Sequence, residues 1–108
     1  DAFWREASGQ KLDQSAEVCG SRAASAAEIG RFHDEAHVER VHQLSDRGYG
    51  MIDHGDTPAF SGVYEASAHV VGAALEGLHR IMAGEVLRTF QPIGGLHHAA
   101  RERAAGFC

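Results

Sequence analysis

The chain is 108 residues long, with 15 Asp and Glu against 10 Lys and Arg, a formal charge of −5 when its eight histidines are neutral. That length holds one domain or part of one, and 44% hydrophobic with 23% charged residues is ordinary globular usage, which excludes wholesale disorder. The acidic balance, with Lys11 the single lysine, argues against direct nucleic-acid contact or an anionic membrane surface; no stretch approaches the ~20 apolar residues of a membrane span.

Asp1-Ala2-Phe3-Trp4 starts a short helix, and the rest of residues 1–24 reads as loop, because Gly9, Gly20 and scattered polar residues sustain no period. Ser25 with Glu28 three positions on has the spacing of a capping box and predicts a short helix over about 26–32. Asp34 is a second N-cap; behind it His37, Val38, Val41 and Leu44 share a helical face, and Gly48 and Gly50 end the element. Residues 49–60 read as a loop. Ser61 is then expected to cap a helix over about 62–83, whose stripe is Tyr64, Ser67, Val71, Ala74, Leu75, Leu78, Ile81 and Met82, with Gly84 as its stop. Gly62, Ala66, Ala68, Gly72, Ala73 and Gly77 keep this helix slim enough to pack closely on a neighbour, and Glu76 stands four residues before Arg80 as an ion pair. Val86–Phe90 predicts a strand stopped by Pro92, followed by Gly94-Gly95. Helix, strand and glycine loop in that order suit an α/β protein whose site lies beyond a strand's C-terminal end.

The two cysteines, Cys19 and Cys108, form at most one pair, so a reducing, cytoplasmic setting is expected. The start on Asp1 and the stop on Phe107-Cys108 have the look of cut edges.

Histidine is over-represented. His33-Asp34-Glu35-Ala36-His37 has a superficial likeness to the His-Glu-x-x-His zinc helix, but that chemistry needs Glu directly after the first His. With Asp34 as N-cap, His33 also lies off the helix, so the two read as a structural pair. His42, His69 and His79 read as solvated or core-edge residues. A different expectation, a histidine-rich helical module that binds a partner or a metal, would need several of His33, His37, His42 and His54 to converge. Gly94-Gly95-Leu96-His97-His98 differs from all of these: its glycines permit a tight turn and close approach of a ligand, and two adjacent imidazoles offer two bases suited to proton transfer near neutral pH.

Ile93–Ala99, followed by Ala105-Gly106-Phe107-Cys108, closely resembles the active-site signature of the zinc-dependent histone deacetylase superfamily, which includes acetoin-utilisation and acetylpolyamine deacetylase proteins. Gly55–Phe60 with Gly62-Val63-Tyr64 resembles the family's substrate-rim loop and the helix after it, and Ala26–Ile29 with Phe32-His33-Asp34 and Val38 resembles its N-terminal helical stretch, His37 standing where an aromatic is usual. The resemblance covers about residues 22–108 and is most specific at its end.

That resemblance implies an arginase-like, three-layer α/β fold with a parallel sheet, this stretch being mostly helical with one or two strands. It implies hydrolysis of acetyl-lysine or acetylpolyamine amides. His98 matches the principal general base and His97 its partner; Gly106 and Phe107 match the lining of the acyl channel, and Asp56 the rim carboxylate. Cys108 reads as packing beside the site. The family's zinc ligands and its tyrosine match nothing in this sequence, so Zn²⁺ is expected only in a longer parent protein. Residues 1–108 then look like the N-terminal part of one catalytic domain, cut at both ends and inactive alone, or like a degenerate, non-catalytic homologue.

Overall fold

The structure, a computed structural model, describes residues 2–95 and 98–107. Four α-helices and one 3₁₀ turn follow the chain: α1 Ala2–Gly9, the turn Leu12–Gln14, α2 Ala26–Ile29, α3 Glu35–Arg47 and α4 Val63–Met82.

Local capping explains most of these bounds. Ser25 Oγ accepts the Glu28 N–H, while the Glu28 carboxylate accepts the Ser25 N–H at 2.8 Å, a complete capping box that starts α2. Arg22 forks onto the same carboxylate at 2.7 and 2.9 Å; with the Ser25 bonds it draws the Glu28 carboxyl down to about 2. Asp34 Oδ1 accepts the His37 N–H at 2.8 Å and opens α3, and Gly48, at φ 79°, closes it in the left-handed conformation.

The start of α4 departs from expectation. Ser61 does not cap it; Gly62 stands at the N-cap with φ 86°, and the cap is supplied from α3, where Ser45 Oγ accepts the Tyr64 N–H at 3.2 Å and donates to Glu65 at 3.1 Å. The buried face of α4 is also not the bulky stripe. Val63, Ala68, Gly72 and Gly77 are buried, whereas Leu78, Ile81 and Met82 are exposed. The reason is close backbone approach. Residues 22–24 cross the helix so tightly that a Cβ on Gly72 would fall on the Arg22 carbonyl, and the Ala24 N–H donates to the Ala68 carbonyl at 2.8 Å. The expected Glu76–Arg80 pair gives way to longer-range ones: Arg80 meets Glu17 and Glu85, each at 3.1 Å, and Glu76 faces Arg22.

Val86–Phe90 forms no strand. Among the described residues there is no β-strand at all, only the isolated antiparallel bridges Met51–Pro58 and Ala100–Arg103. Residues 86–90 have no neighbouring strand to complete their backbone pairing; Thr89 instead fills the space over Gly77, and Leu87 is 99% exposed.

The core lies between the α3–α4 pair and the two bridged turns. Ile52, Ala59, Val63 and Ala104 are buried together, with Val41 and Leu44 packed against them. This cluster sits directly behind the loop 51–59 and the turn 100–104, and so fixes both relative to the helices. A second tie comes from the junction before α3, where the Asp34 N–H and His33 Nδ1 both reach the Arg101 carbonyl at 3.1 Å.

Candidate active site

The loop after Met51 is organised by one carboxylate. Asp53 Oδ1 accepts the N–H groups of Gly55, Asp56 and Thr57 at 3.0, 3.1 and 3.0 Å, and Oδ2 accepts the Thr57 hydroxyl at 2.7 Å. Asp side chains favour such turns because they stand in for a backbone carbonyl. The Asp56 carboxyl beside it, then the Gly55 and Thr57 groups, hold the Asp53 carboxyl far below the usual carboxylate range.

Two bonds cross from this loop to the far end of the chain. Asp56 Oδ1 accepts the Gly106 N–H at 3.1 Å, and Thr57 Oγ1 accepts the Phe107 N–H at 3.2 Å. Gly106 and Phe107 both adopt the left-handed conformation, at φ 60° and 61°. For glycine that is free; for phenylalanine it is strained, and such a residue persists where its surroundings hold it. His98 completes the cluster, its ring lying on Gly106: a Cβ there would come 2.5 Å from His98 Cδ2. Only glycine leaves room for the imidazole.

Four of the five candidate residues, Asp56, His98, Gly106 and Phe107, are therefore brought together by bonds that each span 50 residues of sequence. His98, Asp56 and Phe107 are exposed, so the cluster faces outward rather than into the core. The remaining nominee, His97, lies outside the described residues, as do Asp1, Leu96 and Cys108. Asp53 and the buried Thr57 were not nominated; the available signal was an Asp followed two residues later by Gly and four later by a hydroxyl residue.

The other histidines do not form a centre. His33 and His37 meet with ring centroids 4.9 Å apart and planes tilted by 42°, His42 lies edge-on to Tyr64 and 3.4 Å from Asp46, and His69 Nδ1 is 3.1 Å from Ser21 Oγ. His37 is buried, and desolvation, then the neighbouring His33, pushes its imidazole below the ordinary value. Among the described residues no group of three His, Cys, Asp or Glu side chains is placed to hold a metal ion. The zinc implied by the family resemblance thus finds no ligand set in them. Nor is any helix among them long and apolar enough to cross a membrane.

Comparison with known proteins places the chain in a family. The family model described as histone deacetylase domain matches residues 2–108. The chain belongs to the histone deacetylase family. Histone deacetylase 8 of Xenopus tropicalis is 32% identical over 98 residues, which is 84% of this chain and 27% of that protein. Acetoin utilization protein AcuC of Bacillus subtilis is 33% identical over 100 residues, 85% of this chain and 26% of its own length. Among solved structures, that of the HDA15 HD domain superposes with a TM-score of 0.71 at 25% identity, over 83% of this chain and 26% of that one. This histone deacetylase family chain therefore spans about a quarter of the length of the relatives it matches. It shares the fold of that stretch of a deacetylase domain, without a strand of its own among the described residues.

Proposed function

We propose that this chain supplies the base and the acyl-channel wall of a deacetylase that hydrolyses acetyl-lysine or acetylpolyamine amides. The observation that carries the reading is the His98 ring seated on Gly106, whose own N–H is held by Asp56. In this reading His98 is the general base, with His97 as its partner. An imidazole ring nitrogen with a free lone pair can take the proton of an attacking water. Gly106 and Phe107 line the channel, an aromatic face beside the aliphatic stem of the acyl-lysine, and Asp56 presents a carboxylate to a cationic or amide-bearing substrate. A carboxylate has about four acceptor positions, so the bond from Gly106 leaves Asp56 able to take a further donor.

Zinc, a Lewis acid that polarises an amide carbonyl and lowers the pKa of water, belongs in this reading to the part of the protein outside these residues. The complete domain would then be the three-layer, parallel-sheet fold of the arginase type, with the exposed Met82, Leu87, Phe90 and Ile93 side chains turned toward its sheet. The expected setting is cytoplasmic, with no nucleic acid or membrane as partner.

The test is to assay the complete gene product on acetyl-lysine peptides and on acetylated polyamines. Acetate release that a chelator abolishes and His98→Ala reduces at least a hundredfold is the expected result. Release of acetate at an unchanged rate by His98→Ala would overturn the assignment of the base.

A further inference from the structure

We propose that Asp53 is the positioning residue of the acyl channel: through Thr57, and beside Asp56, it locks the Gly106–Phe107 turn and so sets where the Phe107 ring and the His98 imidazole stand. This rests on the deacetylase reading above, but its geometry does not. An Asp that merely closed its own turn would need only Oδ1, which already accepts three N–H groups. Oδ2 does something else. It takes the Thr57 hydroxyl proton at 2.7 Å, the shorter of the two contacts open to that proton, the other being Asp56 Oδ1 at 3.1 Å. A hydroxyl has one proton and two lone pairs. With the proton spent on Asp53, the oxygen faces Phe107 as an acceptor, and the Phe107 N–H meets it at 3.2 Å. Asp56, whose own N–H is held by Asp53, takes the Gly106 N–H. Both residues of the left-handed turn are thereby anchored to one organised loop, and His98 rests on the first of them. Thr57 is buried, so no water replaces its hydroxyl readily if the link is cut.

The four variants Asp53→Ala, Asp53→Asn, Thr57→Val and Thr57→Ser separate this role from general support of the fold. Asp53→Ala removes every bond; Asp53→Asn keeps the Oδ1 acceptor and offers Thr57 an N–H, leaving the threonine oxygen an acceptor. Thr57→Val keeps the shape and the Asp53 turn but deletes the link to Phe107, and Thr57→Ser restores it. In the complete protein, Asp53→Ala and Thr57→Val are expected to raise KM for an acetyl-lysine peptide about tenfold, with a smaller change in kcat, and Asp53→Asn and Thr57→Ser to recover most of it. Amide hydrogen exchange of the segment 99–108 is read on the same proteins, with or without activity. It should quicken about tenfold in the Ala and Val variants while α3 and α4 exchange as before. Should Asp53→Ala loosen the whole fold, Thr57→Val decides by the same two readings. Unchanged exchange at 99–108 in Thr57→Val, or an equal rise across α3 and α4, would overturn the proposal. Local loosening at 99–108 in a protein with no amide hydrolase activity would uphold the positioning while sinking the deacetylase reading.

Discussion

A Cβ on Gly106 would stand 2.5 Å from His98 Cδ2 and on a backbone at φ 60°, so Gly106→Ala penalises the site twice, by collision and by conformation. The imidazole has to move, and with His98 as the base proposed above, a displacement of about 1 Å costs roughly a hundredfold in rate. We expect kcat/KM of the complete protein to fall by about that factor in Gly106→Ala, with its circular dichroism unchanged; a variant as active as the parent would show that His98 does no chemistry. His37 makes a second residue-scale prediction. It is buried, faces His33, Asp34 and Arg40, and its pKa in the folded chain is depressed from 6.5, chiefly by desolvation. The neutral imidazole is the form the fold prefers, so its stabilisation is complete above about pH 6.5 and is lost as pH falls through the lower folded value. Urea midpoints measured between pH 7 and 5 should therefore drop more steeply for the parent protein than for His37→Leu.

At the scale of elements, α4 depends on a hydroxyl from its neighbour. Ser45→Ala removes the acceptor for the Tyr64 N–H and should cost about 1 kcal/mol, read as a lower urea midpoint with an unchanged slope. Gly72→Ala pushes against the backbone of residues 22–24 and should cost about 1–3 kcal/mol, as overpacking does. These two positions also mark what could be read beforehand. Ser25 with Glu28, Asp34, Gly48 and Gly84 are local signals, each acting within a turn of itself, and they set the start of α2, the bounds of α3 and the end of α4, although α2 stops at Ile29, short of the expected 32. The inward face of α4 is not a local property. A stripe of Leu, Ile and Met implies packing through side chains, whereas here another stretch of backbone lies against Ala68 and Gly72, and that partner is visible only in three dimensions. The site divides in the same way. His98, Gly106, Phe107 and Asp56 were legible through their likeness to a family signature. Asp53 was not, because its importance comes from a bond that Thr57 passes on to a residue 50 positions away.

For the whole molecule, the core is thin. No large side chain among the described residues is fully buried, and the radius of gyration, 15.3 Å, exceeds the roughly 13 Å expected for a compact chain of this size. Large apolar side chains such as Leu87 and Phe90 face outward at 99% and 80% exposure. Residues 1–108 expressed alone should melt broadly, bind a hydrophobic dye and release no acetate, whereas the complete protein should melt cooperatively; a sharp transition from the short chain would contradict this. Acid should weaken the chain through Asp53 and Glu28, whose folded pKa values lie below their ordinary ones. Their contribution is whole above about pH 4.5 and is lost as pH falls below it, so melting temperature should decline from there in the parent and less in Asp53→Asn.

The bonds from Asp56 to Gly106 and from Thr57 to Phe107 each span 50 residues of sequence, while the backbone bonds within each helix close over four. That difference imposes an order of events during synthesis. At roughly 5–20 residues per second, the loop 53–57 leaves the ribosome about 3–10 s before its partner turn exists. Through that interval the Asp53 turn can close on itself, but Asp56 Oδ1 and the Thr57 oxygen have only water in place of the Gly106 and Phe107 N–H groups. Of these cross-chain bonds, those to Gly106 and Phe107 thus form last, and a pause in translation just ahead of them would lengthen the time during which the loop stands without its partner turn.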